Sequence, residues 1–231
     1  MTTDVEDYEP DVLRIFQSKD ETRAYYNKIA GFYDLLAEHS EQPMRRKGLE
    51  MLAPRPGERI LEIGFGTGHC LVEIARAVGA EGKVYGIDIS DEMLARSRKL
   101  IEEMQLNANV ELSCGDAENL TYPENMLDGI FTSFTLELFD TPAIPRVLAE
   151  CRRVLKPGGR LVVVALSKAG KGGPVMKIYE WSHKHFPNLM DCRPIYVGNA
   201  MEAANFKIIG RLIEHMWVPV EIVSGVSPDY A

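Results

Sequence analysis

A short glycine-rich loop constrains this chain more than any other feature of its 231 residues. The stretch Ile60–His69 reads ILEIGFGTGH, an apolar strand followed by Gly64, Gly66 and Gly68 and then by the start of a helix. Glycine lets the backbone turn tightly and lets a ligand approach it closely. The spacing is GxGxG and differs from the GxGxxG of dinucleotide-binding folds, because His69 follows the third glycine. We expect a strand–loop–helix unit that binds a ligand.

Strands and helices alternate along the rest of the chain. Five short strands are expected at 59–63, 83–87, 110–114, 127–133 and 160–166, with helices at 69–78, 90–105 and 141–155 between them. A helix at 198–204 precedes two final strands at 207–214 and 217–224. This order predicts an α/β fold with a doubly wound, mostly parallel seven-stranded sheet that ends in an antiparallel hairpin.

Two segments outside the sheet are expected to be helical. Residues 1–20 look like a polar lead-in, and residues 21–52 show a helical pattern with a break near 40–43. Glycines at 170–173 link the fifth strand to a further helix at about 175–186. We therefore predict an N-terminal helical lid segment over 1–52 and a ligand-binding domain over 53–231, with a lid insertion at about 170–195.

Acidic residues follow the second and third strands. Asp88 ends the second strand, where a carboxylate accepts hydrogen bonds from both hydroxyls of a ribose. Asp116 follows the third strand, where it would accept from an adenine amino group while the Ala117 amide donates to a ring nitrogen. Asp116 is equally consistent with an Asx-type turn. Ile89 and Met93 would give the adenine an apolar wall, or would belong to the core.

All of these positions fall at the carboxyl ends of strands. Ser133 ends the fourth strand in the same way. Ligands of open parallel sheets bind outside the carboxyl ends of the strands, at the topological switch point. Four consecutive strands with suitable end residues therefore predict one binding site.

Residues 60–168 resemble the menaquinone/ubiquinone-biosynthesis C-methyltransferases and the wider class I S-adenosylmethionine-dependent methyltransferases. The matching stretches are ILEIGFGTG, GIDISDEML, GDAENLTYPENMLDGIFTSF and CRRVLKPGGRLVVVALSK, and YYNKIAGFYDLL is similar to that family's N-terminal aromatic segment. The resemblance implies a Rossmann-like sheet, S-adenosylmethionine as cofactor and S-adenosylhomocysteine as product. It implies cofactor contacts from Thr67, Asp88, Asp116, Ala117 and Ser133, and it places Tyr26 and Tyr33 at the aromatic positions of the lid.

Together with the glycine loop, these positions make up the predicted cofactor-binding set, which is Tyr26, Glu62, Gly64, Phe65, Gly66, Thr67, Gly68, Asp88, Ile89, Met93, Asp116, Ala117 and Ser133.

The expected acceptor is less defined. After Ser133 the chain reads FTLELF, where quinone-modifying relatives usually carry Gly-Leu-Arg-Asn. The resemblance therefore supports cofactor binding and leaves quinone specificity open. Apolar side chains in 171–195 suit a small, partly hydrophobic acceptor, whether a quinol or phenol, a thiol, an amine or a lipid headgroup. These side chains would otherwise pack on the sheet.

Methyl transfer needs a general base only if the acceptor must lose a proton. The candidates are Glu137, His183 and His185, and Tyr33 of the lid is a further candidate catalytic residue. Each also has a plain structural interpretation: Glu137 as a helix-start carboxylate, Tyr33 as a buried scaffold residue, and His183 and His185 as surface histidines.

The amino-acid composition limits the possible binding partners and the cellular compartment. The formal net charge of −8 argues against a nucleic-acid partner, and the short cluster Arg45-Arg46-Lys47 is interpreted as a solvated helix face. Four cysteines show no CxxC pair or zinc spacing, which favours reduced thiols, a cytoplasmic setting and no metal site. The acidic N-terminus does not resemble a signal peptide, and no apolar run is long enough to span a bilayer. A lipid acceptor would still require peripheral contact with a membrane.

Two other classes of protein remain to be compared with the methyltransferase. A nicotinamide-dependent oxidoreductase would also use Asp88 at the end of the second strand, but it predicts the missing GxGxxG. A non-catalytic protein that binds S-adenosylmethionine would keep the same loop without turnover.

Overall fold

The computed structural model describes residues 11–31, 33–170 and 192–228, with the backbone alone for 33–39.

A capping box starts the first helix. The Ser18 hydroxyl accepts from the Glu21 amide at 3.3 Å, and the Glu21 carboxylate accepts from the Ser18 amide at 2.8 Å. These two bonds satisfy amides that the helix itself leaves unpaired. The described helices are α1 (Lys19–Ile29), α2 (Tyr33–Leu52), α3 (His69–Val78), α4 (Asp91–Glu103), α5 (Ile144–Val154) and α6 (Val197–Ala203), with a 3₁₀ turn at Leu136–Leu138.

Seven strands form one sheet in the order β3-β2-β1-β4-β5-β7-β6. Strands β1 to β5 are parallel, and β7 runs antiparallel to both of its neighbours, β5 and β6. The sequence prediction of a mostly parallel sheet with an antiparallel hairpin is confirmed. The strands are β1 (Arg59–Ile63), β2 (Lys83–Asp88), β3 (Val110–Cys114), β4 (Leu127–Ser133), β5 (Leu155–Leu166), β6 (Lys207–His215) and β7 (Pro219–Val226).

Helices cover both faces of the sheet. Buried residues of α2, α3 and α4 join one apolar cluster, whereas those of α5 and α6 join a second cluster on the other face. Strands β1 and β4 are buried almost throughout, and β5 is buried from Leu161 to Leu166, as expected for parallel strands enclosed on both faces. The apolar patterns of the strands therefore follow from the layered fold.

The register brings the strand ends to one edge. Ile63 at the end of β1 pairs with Ile87 on β2 and with Thr132 on β4, and Asp88 pairs with Cys114 at the end of β3. The residues that follow these four strands therefore lie side by side. No helix among the described residues is both long and apolar enough to cross a membrane.

Two predicted boundaries were wrong. The break expected near residues 40–43 is absent, because α2 runs through Pro43 and the division falls instead between Ile29 and Tyr33. Proline removes one helical hydrogen bond, but Met44, Leu49 and Leu52 are buried in the core and hold α2 on the sheet. The N-terminal lid segment predicted over 1–52 thus includes a helix that packs on β4, β5 and β7.

The second boundary concerns β5. This strand was predicted to start at Arg160 after a Pro-Gly-Gly stop, but it starts at Leu155. Leu155 pairs with Leu127, and the register then shifts so that Arg160 pairs with Gly129. The Pro-Gly-Gly segment is therefore accommodated as an irregularity within the strand.

The four cysteines form no disulfide. Cys70 and Cys151 are buried, and Cys114 and Cys192 are half-buried. This agrees with the absence of a disulfide framework in the sequence.

Candidate functional site

A cavity of about 250 Å³ opens at the carboxyl ends of β1 to β4. Twelve of the thirteen predicted cofactor-binding residues line it, and Gly68 is the exception. The sequence pattern therefore brings together the residues expected to meet one ligand. The twelve are Tyr26, Glu62, Gly64, Phe65, Gly66, Thr67, Asp88, Ile89, Met93, Asp116, Ala117 and Ser133.

Gly64 and Gly66 of the loop are explained by different structural constraints. At Gly64, with φ +70°, a Cβ would lie 2.2 Å from Thr135 Oγ1, so the protein's own packing requires glycine. At Gly66, with φ +52°, a Cβ would meet no atom within 4 Å. Gly66 therefore exposes its backbone to open space, as a loop that receives a ligand must.

Asp88 ties the end of β2 to this loop. Its carboxylate accepts from the Gly66 amide at 2.9 Å and from the Ser90 amide at 2.9 Å. Burial raises the pKa of Asp88 to about 6, against the lowering effect of these hydrogen bonds. Asp88 is thus a structural acceptor that also faces the cavity.

Glu62 is a fully buried carboxylate in the cavity wall. Burial raises its pKa well above the ordinary value, and the nearby Arg45 guanidinium lowers it. Its Oε2 atom has no hydrogen-bond partner among the described residues. A buried acceptor without a donor is costly, so this atom favours a ligand that carries a donor.

An ion-pair network surrounds Asp116 at the β3 end of the cavity. Asp116 Oδ1 accepts from the Glu118 amide at 3.0 Å, which is the Asx-type turn weighed in the sequence analysis. Its other oxygen pairs with Lys19, whose ammonium also lies 2.7 Å from Glu118 Oε1. Arg146 Nε lies 2.5 Å from Glu118 Oε2. Asp116 therefore has both a turn role and a place in the cavity wall.

Residues 11–19, here called the strap, contribute Ile15, Gln17 and Lys19 to the cavity lining. Arg14 donates to both oxygens of Asp140, at 2.8 Å from Nε and 2.7 Å from Nη2, and the Ile15 amide donates to Asp140 Oδ1 at 3.0 Å. Asp11 Oδ2 lies 3.0 Å from Lys168 Nζ and accepts from the Tyr196 hydroxyl at 2.9 Å. Part of the expected polar lead-in thus forms a wall of the site. The Ser18-x-x-Glu21 pattern is a sequence signal that locates its end.

Apolar side chains line the cavity beyond Ser133. Phe134, Leu138, Phe139 and Ala143 all face it. Phe134 has φ +51°, in the left-handed region that a bulky residue rarely adopts. Strain of this kind persists where the surroundings hold it, as functional sites often do. The backbone turn at Phe134 carries the chain from β4 along the cavity.

Of the candidate catalytic side chains, Glu137 is the one that lies within the described residues. Glu137 is fully buried, is absent from the cavity lining, and accepts from the Leu166 amide at 3.0 Å. Burial raises its pKa to about 8. The Tyr33 side chain and the whole of His183 lie outside the described residues, as does the helix predicted at 175–186.

The interpretation of Arg45-Arg46-Lys47 as a solvated helix face was wrong for Arg45. Its side chain is 16% exposed, lines the cavity and pairs with Glu41 at 2.5 Å. Arg46 is exposed, as expected, and Lys47 pairs with Glu214. Helical spacing was the missed signal, because residue 45 is four positions before the buried Leu49 and seven before Leu52. Within the described residues, no group of acidic, cysteine or histidine side chains is arranged to hold a metal ion.

The sequence matches known methyltransferases. Residues 60–159 match the family model of the methyltransferase domain. Demethylmenaquinone methyltransferase from Bacillus mycoides (strain KBAB4) is 33% identical over 157 residues, which cover 66% of this chain and 65% of that protein. The ubiquinone/menaquinone biosynthesis C-methyltransferase UbiE from Teredinibacter turnerae is 36% identical over 147 residues, which cover 62% and 58%. The chain thus spans less than two thirds of the length of these relatives.

Solved structures share the fold over nearly the whole chain. A SAM-dependent methyltransferase from Aquifex aeolicus has a TM-score of 0.64 at 26% identity, covering 86% of this chain and 98% of that one. The [4+2]-cyclase SpnF has a TM-score of 0.75 at 19% identity, covering 95% and 99%, a likeness that concerns the fold alone.

The sheet order, the glycine loop and these matches point to one class. Residues 60–159 form a methyltransferase domain, and the chain is similar in sequence and fold to the S-adenosylmethionine-dependent methyltransferases, whose cofactor is S-adenosylmethionine. Within the class its similarity is to the demethylmenaquinone and ubiquinone/menaquinone C-methyltransferases. The matches do not favour the nicotinamide-dependent oxidoreductase.

Proposed function

We propose that this chain transfers a methyl group from S-adenosylmethionine to a small, partly hydrophobic acceptor, with a quinol or phenol as the first choice. The observation that carries the proposal is the cavity at four consecutive strand ends, lined by Glu62, Asp88, Asp116 and Ser133. Neighbouring strands are about 4.8 Å apart, so these four ends span roughly 14 Å. That span suits an extended ligand with a base at one end and an amino acid at the other.

The residues present fit this cofactor. Gly66 leaves open space beside its backbone, and Glu62 Oε2 lacks a donor among the described residues. We expect Asp88 to accept from the ribose hydroxyls and Asp116 with Ala117 to contact the adenine. Glu62 would accept from the ammonium of the amino-acid end. When bound, S-adenosylmethionine supplies a methyl group already activated by its sulfonium.

The protein's own contribution is then alignment and exclusion of water. Ser133, the Phe134 turn and the apolar side chains of Leu138, Phe139 and Ala143 line the same cavity as the glycine loop. We expect these side chains to hold the acceptor against the cofactor, because correct alignment of the reacting atoms accounts for much of such catalysis. The strap would keep water from the reacting groups.

The choice of a quinol or phenol acceptor has two supports. The relatives in the comparison carry names that specify demethylmenaquinone or ubiquinone/menaquinone biosynthesis. The cavity is lined both by apolar side chains and by polar residues at the strand ends. An acceptor with an aromatic ring and a hydroxyl group needs both. Thiols, amines and lipid headgroups remain acceptors to compare. The segment FTLELF differs from the relatives' usual pattern. We therefore expect this cavity to select an acceptor of a different detailed shape.

The general base is a separate proposal. Tyr33 and His183 are our candidates if the acceptor must lose a proton during transfer. Glu137 is the weaker candidate, because its side chain is fully buried and absent from the cavity lining. We expect Glu137 to stabilise the turn between β4 and α5 and not to contact the acceptor.

Thermal unfolding with four ligands tests the cofactor. A ligand that binds only the native state stabilises it by about 2.7 kcal/mol at a hundredfold excess over Kd. S-Adenosylmethionine and S-adenosylhomocysteine should raise the melting temperature, and NAD and NADP should not. A shift with NAD and none with S-adenosylhomocysteine would overturn the proposal.

Turnover is tested by the formation of S-adenosylhomocysteine. Each assay contains S-adenosylmethionine and one acceptor: a reduced demethylmenaquinone analogue, a substituted phenol, a thiol, an amine or a phospholipid headgroup. Product is expected with the quinol or the phenol. Product with only a thiol or an amine would contradict the acceptor class, and binding without product from any acceptor would favour a non-catalytic protein.

A further inference from the structure

A short turn after β4 carries part of the apolar wall of the cavity. The 3₁₀ turn Leu136–Leu138 leads into Phe139, and both Leu138 and Phe139 line the cavity. Residues 136–140 are here called the wall turn. A 3₁₀ turn has poorer hydrogen-bond geometry than an α-helix, so its shape depends on contacts with neighbouring elements. The contacts that hold the wall turn therefore determine which apolar side chains face the acceptor.

Two of these contacts come from opposite ends of the chain. Glu137 accepts from the Leu166 amide at the end of β5, at 3.0 Å. Asp140 accepts from Arg14 of the strap, at 2.8 Å from Nε and 2.7 Å from Nη2. The two ends of the wall turn are thus tied to different parts of the fold, and Phe139 lies between them.

Arg193 supplies a third contact. Its side chain is fully buried, and its Nη2 atom donates to the Phe139 carbonyl at 2.6 Å. Burial raises the pKa of Glu137 and the Arg193 guanidinium lowers it, so this charge also acts on the start of the wall turn. Arg193 does not itself line the cavity. It therefore contacts the wall turn from outside the cavity.

The backbone near Arg193 is fixed to the sheet. The Ile195 amide donates to the Leu166 carbonyl at 3.0 Å, and the Ile195 carbonyl accepts from the Lys168 amide at 3.1 Å. Ile195 also forms a parallel bridge with Ser167. Because Arg193 lies two residues before this bridge, its guanidinium extends to the wall turn from a defined point beside the end of β5.

Full burial of a guanidinium carries a cost. Water solvates an ionised group strongly, and arginine is almost never fully buried without partners. Replacement of buried charges by apolar side chains is often neutral for stability or even stabilising. Stability alone is therefore a poor explanation for Arg193. The guanidinium supplies a rigid, planar set of donors, and the Phe139 carbonyl that it satisfies needs no donor from a ligand.

We propose that Arg193 is a positioning residue for the methyl acceptor: by fixing the Phe139 carbonyl, it holds the wall turn so that Leu138 and Phe139 face the acceptor's apolar part. The inference rests on the proposed function, since it takes the ring of a quinol or phenol as the group that contacts these two side chains. It assigns part of the acceptor selection to a residue outside the cavity. Loss of Arg193 should therefore affect the acceptor more than the cofactor.

Kinetics and calorimetry on the full chain separate these two effects. With S-adenosylmethionine at saturation, the acceptors are a reduced demethylmenaquinone analogue and a substituted phenol. Arg193→Met should raise the acceptor KM about tenfold and change kcat less than about threefold. The affinity for S-adenosylhomocysteine should change less than about twofold. Arg193→Lys keeps the charge and a donor without the planar fork, and it should recover part of the loss.

Arg152→Met is the matched control. Arg152 Nη1 also donates to a backbone carbonyl, that of Ala204 at 3.4 Å, and Arg152 does not line the cavity. This variant should leave the acceptor KM and the affinity for S-adenosylhomocysteine unchanged. A general effect of losing a buried guanidinium would instead change both quantities in Arg193→Met.

The outcomes are distinct. An unchanged acceptor KM in Arg193→Met, or an equal loss of affinity for S-adenosylhomocysteine, would overturn the inference. If Arg193→Met does not fold, Arg193→Lys decides: a raised acceptor KM with unchanged affinity for S-adenosylhomocysteine supports the inference, and an unchanged KM overturns it. A wild-type protein that forms no product from either acceptor refutes the proposed acceptor class, and the inference with it.

Discussion

The Asp88 carboxylate accepts a hydrogen bond from the Gly66 amide at 2.9 Å, so the residue that ends β2 also holds the loop that follows β1. A second hydrogen bond, from the Ser90 amide, fixes the start of α4 to the same carboxylate. Asp88 therefore links three elements of the site before any ligand arrives. Its ionisation should affect both the loop and the ligand.

Cofactor affinity is expected to fall at low pH because of Asp88. Burial raises its pKa to about 6, so the protonated form becomes dominant in the unliganded protein below that pH. Ribose hydroxyls donate to the ionised form, and each pH unit below the pKa should therefore cost up to tenfold in affinity. Calorimetry with S-adenosylhomocysteine from pH 5 to pH 8 measures the effect. Asp88→Asn should bind at least about tenfold more weakly at pH 8 and lose less affinity than the wild type as the pH falls, since the buried Glu62 still titrates. A wild-type loss no steeper than that of the variant would contradict the role of Asp88.

The strap is expected to control how fast the cofactor leaves. Arg14→Ala removes both hydrogen bonds from the guanidinium to Asp140. Since the pair is partly exposed, stability should fall by about 1 kcal/mol or less. Dissociation of S-adenosylhomocysteine, followed by stopped flow, should become several times faster. Lys99→Ala, which removes an exposed ion pair on α4, is the control.

Hydrogen exchange tests the strap independently. The Ile15 amide donates to Asp140, and α1 is held to the β2–α4 loop by Arg23, whose Nε donates to the Ile89 carbonyl at 3.0 Å. Amides in 11–31 should exchange more slowly with S-adenosylhomocysteine bound. The lid predicted over 171–195 should respond in the same way once an acceptor is present. Equal exchange with and without ligands would show that these segments are scaffold.

Replacement of Glu137 should stabilise the protein at high pH. Its folded-state pKa of about 8 lies above the ordinary value of 4.5, so the folded protein binds more protons than the unfolded chain between these values. Stability is therefore lost as the pH rises through this window, by roughly 1 kcal/mol per unit. Glu137→Gln keeps an acceptor for the Leu166 amide and cannot ionise. Urea unfolding should show little difference at pH 4.5 and a more stable variant at pH 8. A variant that is less stable at pH 8 would show that an ionised Glu137 is required.

Glu221 should be a major stabilising residue of the second face. This fully buried carboxylate accepts from the Ser167 hydroxyl and from the Val197 and Gly198 amides, and it lies 2.7 Å from Arg211 Nε. Glu221→Gln replaces one acceptor oxygen by a donor, which leaves a buried donor on Ser167, Val197 or Gly198 unsatisfied, and should cost about 2–4 kcal/mol in urea unfolding. Glu214→Gln, which affects a more exposed pair with Lys47, should cost about 1 kcal/mol or less. Equal costs for the two variants would refute this role.

The sheet and most of the cavity could be predicted because their signals are local. Alternating apolar segments locate the strands, and the residue after each strand is fixed once the strand is placed. The place of Arg45 in the cavity could not be predicted from the run of basic residues, because the side of α2 that faces the cavity depends on how α2 packs. The pairing of Lys19 with Asp116 joins positions 97 residues apart, and no local pattern encodes it. Glu137 was expected beside the transfer point from its place in the sequence, whereas its rotation into the core depends on tertiary packing.

The position of β7 has a consequence for synthesis of the chain. Among the described strands β7 is made last, yet it lies inside the sheet between β5 and β6. While the ribosome adds the residues between 166 and 219, β5 has an unpaired edge. At about 5–20 residues per second this interval lasts for several seconds. An open apolar edge is a template for pairing with other chains, so the nascent protein is expected to need chaperone protection until β7 emerges.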